Sequence, residues 1–426
     1  MGNQETPAVA GIASTKAFAA LSHPHYRRYY IVGIIAMIAD NVEHVIAYWM
    51  IYQKFHSPAL GGLAVISHWL PSLLFSVYSG SLADRLDCRR LIQGAHAFYM
   101  LSSLSWGILF LTGSLQAWQA VVILLLHGVA GALNGPAQQL ILHDMVGLEH
   151  LQSAIRLNAS SRNLATLLGP ALGGALLLLL GPALGMLVNV LNYLPLILVV
   201  GFLPYKGLHR ESVPSQNLSS SGFQQFGPVC REARKDRRIL FMILLGGATS
   251  LFVGNAFQAQ MPEFAHRLGT DKTGLQYSAL LAANAVGALL GALLLESTSY
   301  LRPRLRTALL CAALWSLAIG IFPLVPSYVL AMLFLLLAGF FNITFVSMAQ
   351  ILVQVLAPPA MRGRLVGLFQ MANQGLRVGS GFTVGVLGSV VGVYWSLGLS
   401  AAAVLVIALG LLVYDIAAPR GGFSKP

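Results

Sequence analysis

The sequence predicts an all-α membrane protein with twelve transmembrane helices in two groups of six, and three observations predict it. Of 426 residues, 56% are hydrophobic and only 9% are charged, against roughly a quarter charged in soluble globular domains; the mean hydropathy is +0.72. Apolar runs of about 20 residues, the length a helix needs to cross a bilayer, alternate with short polar breaks. The formal charge of +12 gathers in alternate breaks, as expected when loops rich in Lys and Arg are retained on the cytoplasmic face. In a soluble chain that charge would suggest nucleic acid. Here it reads as topology, and no nucleic-acid partner is expected.

Taken in order, residues 1–28 lead into the basic and aromatic anchor Tyr26-Arg27-Arg28-Tyr29-Tyr30, which places the N-terminus inside. No cleavable signal peptide is expected, since the first twenty residues lack a compact apolar core after a basic start. Six spans follow, near residues 29–52, 60–82, 91–111, 117–142, 153–180 and 183–203. Residues 204–237 turn polar, with a Ser-rich tract at 215–221 and then Arg231, Arg234, Lys235 and Arg237, the composition of a flexible linker. A second half, 238–426, carries spans near 239–264, 273–295, 305–324, 328–356, 365–391 and 394–416. Of the 26 Lys and Arg residues, only Lys54, Arg267 and Lys272 fall in the predicted outer loops. Both termini are therefore expected in the cytoplasm. Cys88, Cys230 and Cys311 share no close spacing, so neither a disulfide framework nor a metal cluster is indicated.

The break from Gly80 to Arg90 packs five charges between two spans: Gly80-Ser81-Leu82-Ala83-Asp84-Arg85-Leu86-Asp87-Cys88-Arg89-Arg90. It resembles the loop signature of the major facilitator superfamily at Gly80, Leu82, Ala83, Asp84, Arg85, Arg89 and Arg90; Asp87 stands where the signature has Gly, and Cys88 interrupts the basic run. The resemblance implies two six-helix bundles around a central cavity. It also implies a gating loop, in which the Asp is held against neighbouring helices while the basic residues hold the cytoplasmic side closed. Without it, the hairpin reads as a retention signal alone. In span five, Gly169, Pro170, Gly173 and Gly174 resemble the motif that this superfamily's proton-exchanging exporters carry; ordinary helix packing is the other reading. Met261-Pro262-Glu263-Phe264, read as an outer loop, and Pro136-Ala137-Gln138 extend the resemblance toward bacterial enterobactin and macrolide exporters.

Charged side chains inside the bilayer cost at least about 2.5 to 3.5 kcal/mol each and need a reason. Asp40, Glu43 and His44 lie three and four residues apart in span one, so a helix projects them to one side, where they can share a proton or form a self-satisfied polar knot. The expectation is that they look into a wet central path. His127 stands four residues before Gly131 in span four, where another superfamily signature has Arg; a packed histidine donating to a carbonyl is the alternative. His68 and His96, in spans two and three, read as structural or interfacial, with lining of the pathway as the alternative. Arg377, beside Asn373 and Gln374, lies too deep in span eleven to reach water easily. Asp40 or Glu43 is its expected partner, with a carbonyl-satisfied or lipid-facing Arg as the alternative. Arg156 and Arg162 read as anchors able to pair with Asp144.

These residues predict a secondary active transporter, not an enzyme. The expected activity is proton-coupled export of an amphipathic organic compound such as a siderophore or antibiotic, by a monomer in a bacterial inner membrane. No cofactor is expected, and no Gly-rich loop for ATP appears. The alternatives are a proton-independent carrier of a lipid-like or zwitterionic solute, a metal exporter, or a receptor without transport. The metal reading is disfavoured because its three ligands would sit on one helix face, so no metal site is expected.

Overall fold

The computed structural model describes residues 18–207, 226–269, 274–297, 304–358 and 361–417. The Ser-rich tract, Lys272 and Arg302 lie outside them. Every described element is helical, as a bilayer demands of a chain that must satisfy its backbone groups internally.

The first three helices are α1 (Pro24–Phe55), α2 (Pro58–Arg85) and α3 (Cys88–Leu111). Pro24 and Pro58 open their helices at positions whose N–H would have no partner anyway. The Ser57 hydroxyl accepts from the Leu60 N–H, and the Asp87 carboxylate accepts from the Arg89 N–H at 3.0 Å, so each caps the helix that follows. Asp87, the departure from the hairpin signature, is thus the N-cap of α3.

Residues 117–201 are helical except at Gly147 and Gly181, whose φ values of 66° and 74° suit glycine alone. These breaks give α4 (117–146), α5 (148–180) and α6 (182–201). The chain turns back at each, since His127, Gly169 and Asn189, one from each segment, all meet α1 between Ala39 and Glu43.

The second half holds α7 (Arg237–Phe252), a short helix Met261–Arg267, α8 (Leu275–Ser297), α9 (Leu305–Ile321), α10 (Tyr328–Leu356), α11 (362–391) and α12 (Val393–Ala417). Two segments differ from expectation. Part of the predicted flexible linker is a helix, Phe226–Lys235, with Val229 and Ala233 buried. The predicted outer loop at 261–264 is helical too, because Phe264 packs edge-on against Phe322 and Tyr394. Ten helical stretches among the described residues are long and apolar enough to cross a membrane. One of these, 149–201, contains the turn at Gly181, and α11, interrupted by two wide π turns at Met371–Gly375 and Gly381–Val386, completes twelve.

The halves meet through small residues at the end away from the hairpin. Gly62 of α2 lies against Gly381 and Gly385 of α11, so close that a Cβ on Gly385 would sit 2.1 Å from the Gly62 Cα. Gly174 of α5 faces Ser278 of α8 in the same way. Trp49 stacks on Tyr277 at 5.3 Å between ring centroids, and Gln260 Nε2 donates to the Pro58 carbonyl at 2.6 Å. Toward the hairpin end, a cleft opens between α1, α4 and α5, lined by Tyr30, Gly33, Met37, Gln138 and Asn158.

Candidate functional site

The polar residues of α1 form a network with one imidazole at its centre. His127 of α4 lies with Nε2 2.7 Å from Asp40 Oδ1 and Nδ1 2.9 Å from Glu43 Oε1. Gly128 beside it lets α4 lie close against α2: a Cβ there would meet the His68 carbonyl at 2.4 Å. Two short N···O contacts need two hydrogens, whereas a neutral imidazole has one N–H. Either His127 is an imidazolium or one carboxyl keeps its proton, so the three groups share protons.

The two carboxylates have different surroundings. Glu43 is 2% exposed, and its Oε2 accepts from Ser103 of α3 and lies 3.5 Å from the Tyr193 hydroxyl of α6. Asn189 of α6 braces this corner, donating to Ser103 Oγ at 3.3 Å and to the Ala39 carbonyl at 2.9 Å. The Asp40 side chain is 36% exposed. The two carboxylates therefore differ: the Asp40 side chain is partly exposed, whereas Glu43 is sealed within the first bundle and reaches the outside through His127.

His44 Nδ1 bonds the Asp40 carbonyl at 2.7 Å, and its Nε2 lies 3.3 Å from Nδ1 of His68 on α2. His68, read as structural, thus belongs to the cluster. Tyr99 of α3 packs its ring 4.6 Å from that of His127, centroid to centroid. Sequence reasoning missed Ser103, Tyr99, Tyr193 and Asn189, whose only signal is a hydroxyl or amide on an otherwise apolar helix. His96 is structural as expected: it is buried, and its Nδ1 bonds the Ile92 carbonyl.

Arg377 and Asn373 do not join the carboxylates. The Arg377 guanidinium lies over the Trp69 ring of α2, 4.8 Å from its centroid, because the halves approach through α2 and α11. The carboxylates take histidines as their described ion-pair partners. Asn373 is buried on the far side of α11, its Cβ 3.7 Å from where a Cβ on Gly246 of α7 would lie.

At the hairpin, Arg89 grips both oxygens of Asp87 and donates from Nη1 to the Leu203 carbonyl at 2.6 Å. The Arg89 hydrogen bonds hold the Asp87 carboxyl below the usual carboxylate range. These contacts tie the α2–α3 turn to the end of α6 within one bundle, not across to the other half. Arg85 and Arg90 are exposed, Gly80 has open space around it, and the Asp84 side chain lies outside the described residues. Asp144 lies 3.8 Å from His143, Arg162 is exposed, and the Arg156 side chain is likewise outside the description. In α5, a Cβ on Gly169 would meet Asn41 and one on Gly173 would meet Val45. With the buried Pro170 between them, they form the face that α5 lays on α1, while Gly174 contacts the other half.

A profile described as transmembrane secretion effector matches residues 15–422. The chain is 27% identical over 362 residues to an enterobactin exporter, EntS, of Citrobacter koseri, covering 83% of this chain and 82% of the relative. It is 24% identical over 410 residues to an uncharacterized MFS-type transporter, YfiS, of Bacillus subtilis, covering 89% and 92%. In three dimensions it is similar to the nucleoside transporter NupG, with a TM-score of 0.68 and 15% identity over 92% of this chain and 99% of that one. A bacterial homolog of the human lysosomal transporter Spinster, in an inward-facing and occupied conformation, gives a TM-score of 0.69 at 14% identity over 92% and 95%. At these identities the structural likeness speaks to the fold alone.

Proposed function

The chain belongs to the transmembrane secretion effector family of major facilitator transporters, and from that membership we propose that it exports an amphipathic small organic compound in exchange for protons. The observation that carries this reading is His127, held between a buried carboxylate and an exposed one. An exchanger needs a group that takes up its ion in one conformation and gives it up in another. Asp40 is the entry point in this reading, His127 the relay and Glu43 the enclosed end, with His44 steadying the exposed side. Ionisable groups kept at such depth are typical of proton paths.

The cargo is of the class of a siderophore, antibiotic or related metabolite. Relatives named as enterobactin exporters support the outward direction and an organic cargo. The basic excess at the hairpin end supports placing that end, with both chain termini, in the cytoplasm of a bacterial inner membrane. Closure through Gly62, Gly381 and Gly385 then corresponds to an inward-facing state. Residues 1–203 and 238–426 would rock as two bodies joined by 204–237, with Arg377 on Trp69 and the α5 glycines at their seam. Gly80, Asp84, Arg85, Arg89 and Arg90 would steady the cytoplasmic end, and one chain supplies both halves of a working monomer.

The test is efflux from proteoliposomes driven by an imposed proton gradient, for candidate compounds first identified by their toxicity to a deletion strain. Transport that collapses with the gradient and is lost in Asp40→Asn with Glu43→Gln supports the reading. Efflux indifferent to an uncoupler and to both substitutions would replace it with a proton-independent carrier.

A further inference from the structure

Three imidazoles converge beside the carboxylate pair, each from a different helix: His44 from α1, His68 from α2 and His127 from α4. One ring nitrogen of each lies within 4.8 Å of the others. Nothing in the proton path uses His68. The arrangement has the features of a metal site at both of its levels. In the inner level, His44 Nε2 and His68 Nδ1 are 3.3 Å apart, about the edge of a tetrahedron whose Zn–N bonds are about 2.0 to 2.1 Å. Asp40 Oδ1, hydrogen-bonded to His127 Nε2 at 2.7 Å, is at hand as a fourth ligand once that bond gives way.

In the outer level, two of the three rings have their other nitrogen already held. His44 Nδ1 is on the Asp40 carbonyl at 2.7 Å, and His127 Nδ1 is on Glu43 at 2.9 Å. A carbonyl or carboxylate behind the ligating imidazole fixes the tautomer and aims the free nitrogen at the ion. The Asp40 side chain is 36% exposed and that of His44 is 20% exposed, so the cluster is not sealed from outside.

From this geometry we infer that His44, His68, His127 and Asp40 bind one divalent transition ion of the zinc type. Three imidazoles and one carboxylate suit zinc and its neighbours rather than calcium or magnesium, which take oxygen, or copper(I), which favours thiolates. The sequence conceals the site because two of its ligands come from helices other than α1. All three helices belong to one bundle, so binding asks only that the ring nitrogens draw together by an ångström or so, not that the halves move.

The inference stands on ligand geometry and is read without transport, so it and the proton reading can fail separately. The experiment is a Zn²⁺ titration of tag-free full-length protein in nanodiscs, followed by X-ray absorption of the loaded protein. The expected result is about one ion per chain with imidazole-rich four-fold ligation. H44Q/H68Q should weaken binding at least about a hundredfold, beyond what loss of an outer partner costs. H150Q, which breaks the separate His23–His150 contact at 2.9 Å, should leave it unchanged. Wild-type protein that takes up no zinc, or that binds it as tightly as H44Q/H68Q does, overturns the inference. Should H44Q/H68Q fail to fold, Co²⁺ on the wild type decides: intense visible bands of a tetrahedral centre support the site, and the pale spectrum of an octahedral one refutes it.

Discussion

His127 Nδ1 lies 2.9 Å from Glu43 Oε1, and both side chains are shut away from solvent, at 1% and 3% exposure. Breaking one partner of such a pair strands the other, a loss of about 3 to 5 kcal/mol. H127Q should therefore lower the melting temperature markedly, and E43Q added to it should recover part of the loss. A double variant that melts lower by the sum of the single effects would show that the two groups are not coupled.

A second prediction concerns the seam. Gly385→Val puts a branched side chain where even a Cβ would overlap the Gly62 Cα, so the halves must part at that end. The variant should still fold, because the contact lies between bundles and not within one. Distances between spin labels on α2 and α11 should lengthen away from the hairpin, and transport should fall.

Arg377 over Trp69 at 4.8 Å is a cation–π contact across the same seam, worth about 0.5 to 2 kcal/mol. W69L and R377A should each weaken closure, and together should cost little more than either alone. Additive effects on spin-label distances would mean that the guanidinium draws its hold from elsewhere.

Acid should loosen the hairpin. Arg89 lowers the Asp87 carboxyl in the folded protein, so the folded state binds fewer protons there than the unfolded chain does. This stabilisation is full above the ordinary carboxylate pKa and is lost as pH falls through the lower folded value. Melting of the wild type should decline across that acidic window. D87N should start lower at neutral pH and lose less on acidification, with equal slopes counting against the pair.

The α1 cluster was legible because a bilayer makes ionisable residues conspicuous; His127 was picked out by standing four residues before Gly131, where a family signature has Arg. What the sequence did not disclose is rotation. Asp40 and Glu43, three residues apart, differ by about 60° around a helix axis, enough to leave one partly exposed while closing the other inside the bundle. His68 was read correctly as lying in α2, but its joining His44 depends on which side α2 turns toward α1. Arg377 was seen to need a partner, and the nearest face proved aromatic because α2, not α1, meets α11. Helix boundaries failed where packing overrode composition, as at 261–264, where Phe264 finds a cage of rings. The breaks at Gly147 and Gly181 fall between the spans read at 117–142, 153–180 and 183–203, where the apolar runs are interrupted.

At Gly62, Gly381 and Gly385 the closed end is peptide laid on peptide. Helical backbone keeps its N–H and C=O groups bonded along its own axis, so when these surfaces part neither demands a replacement partner from water. A latch of this kind resists little and remembers nothing, so any preference for one facing over the other has to come from elsewhere in the protein.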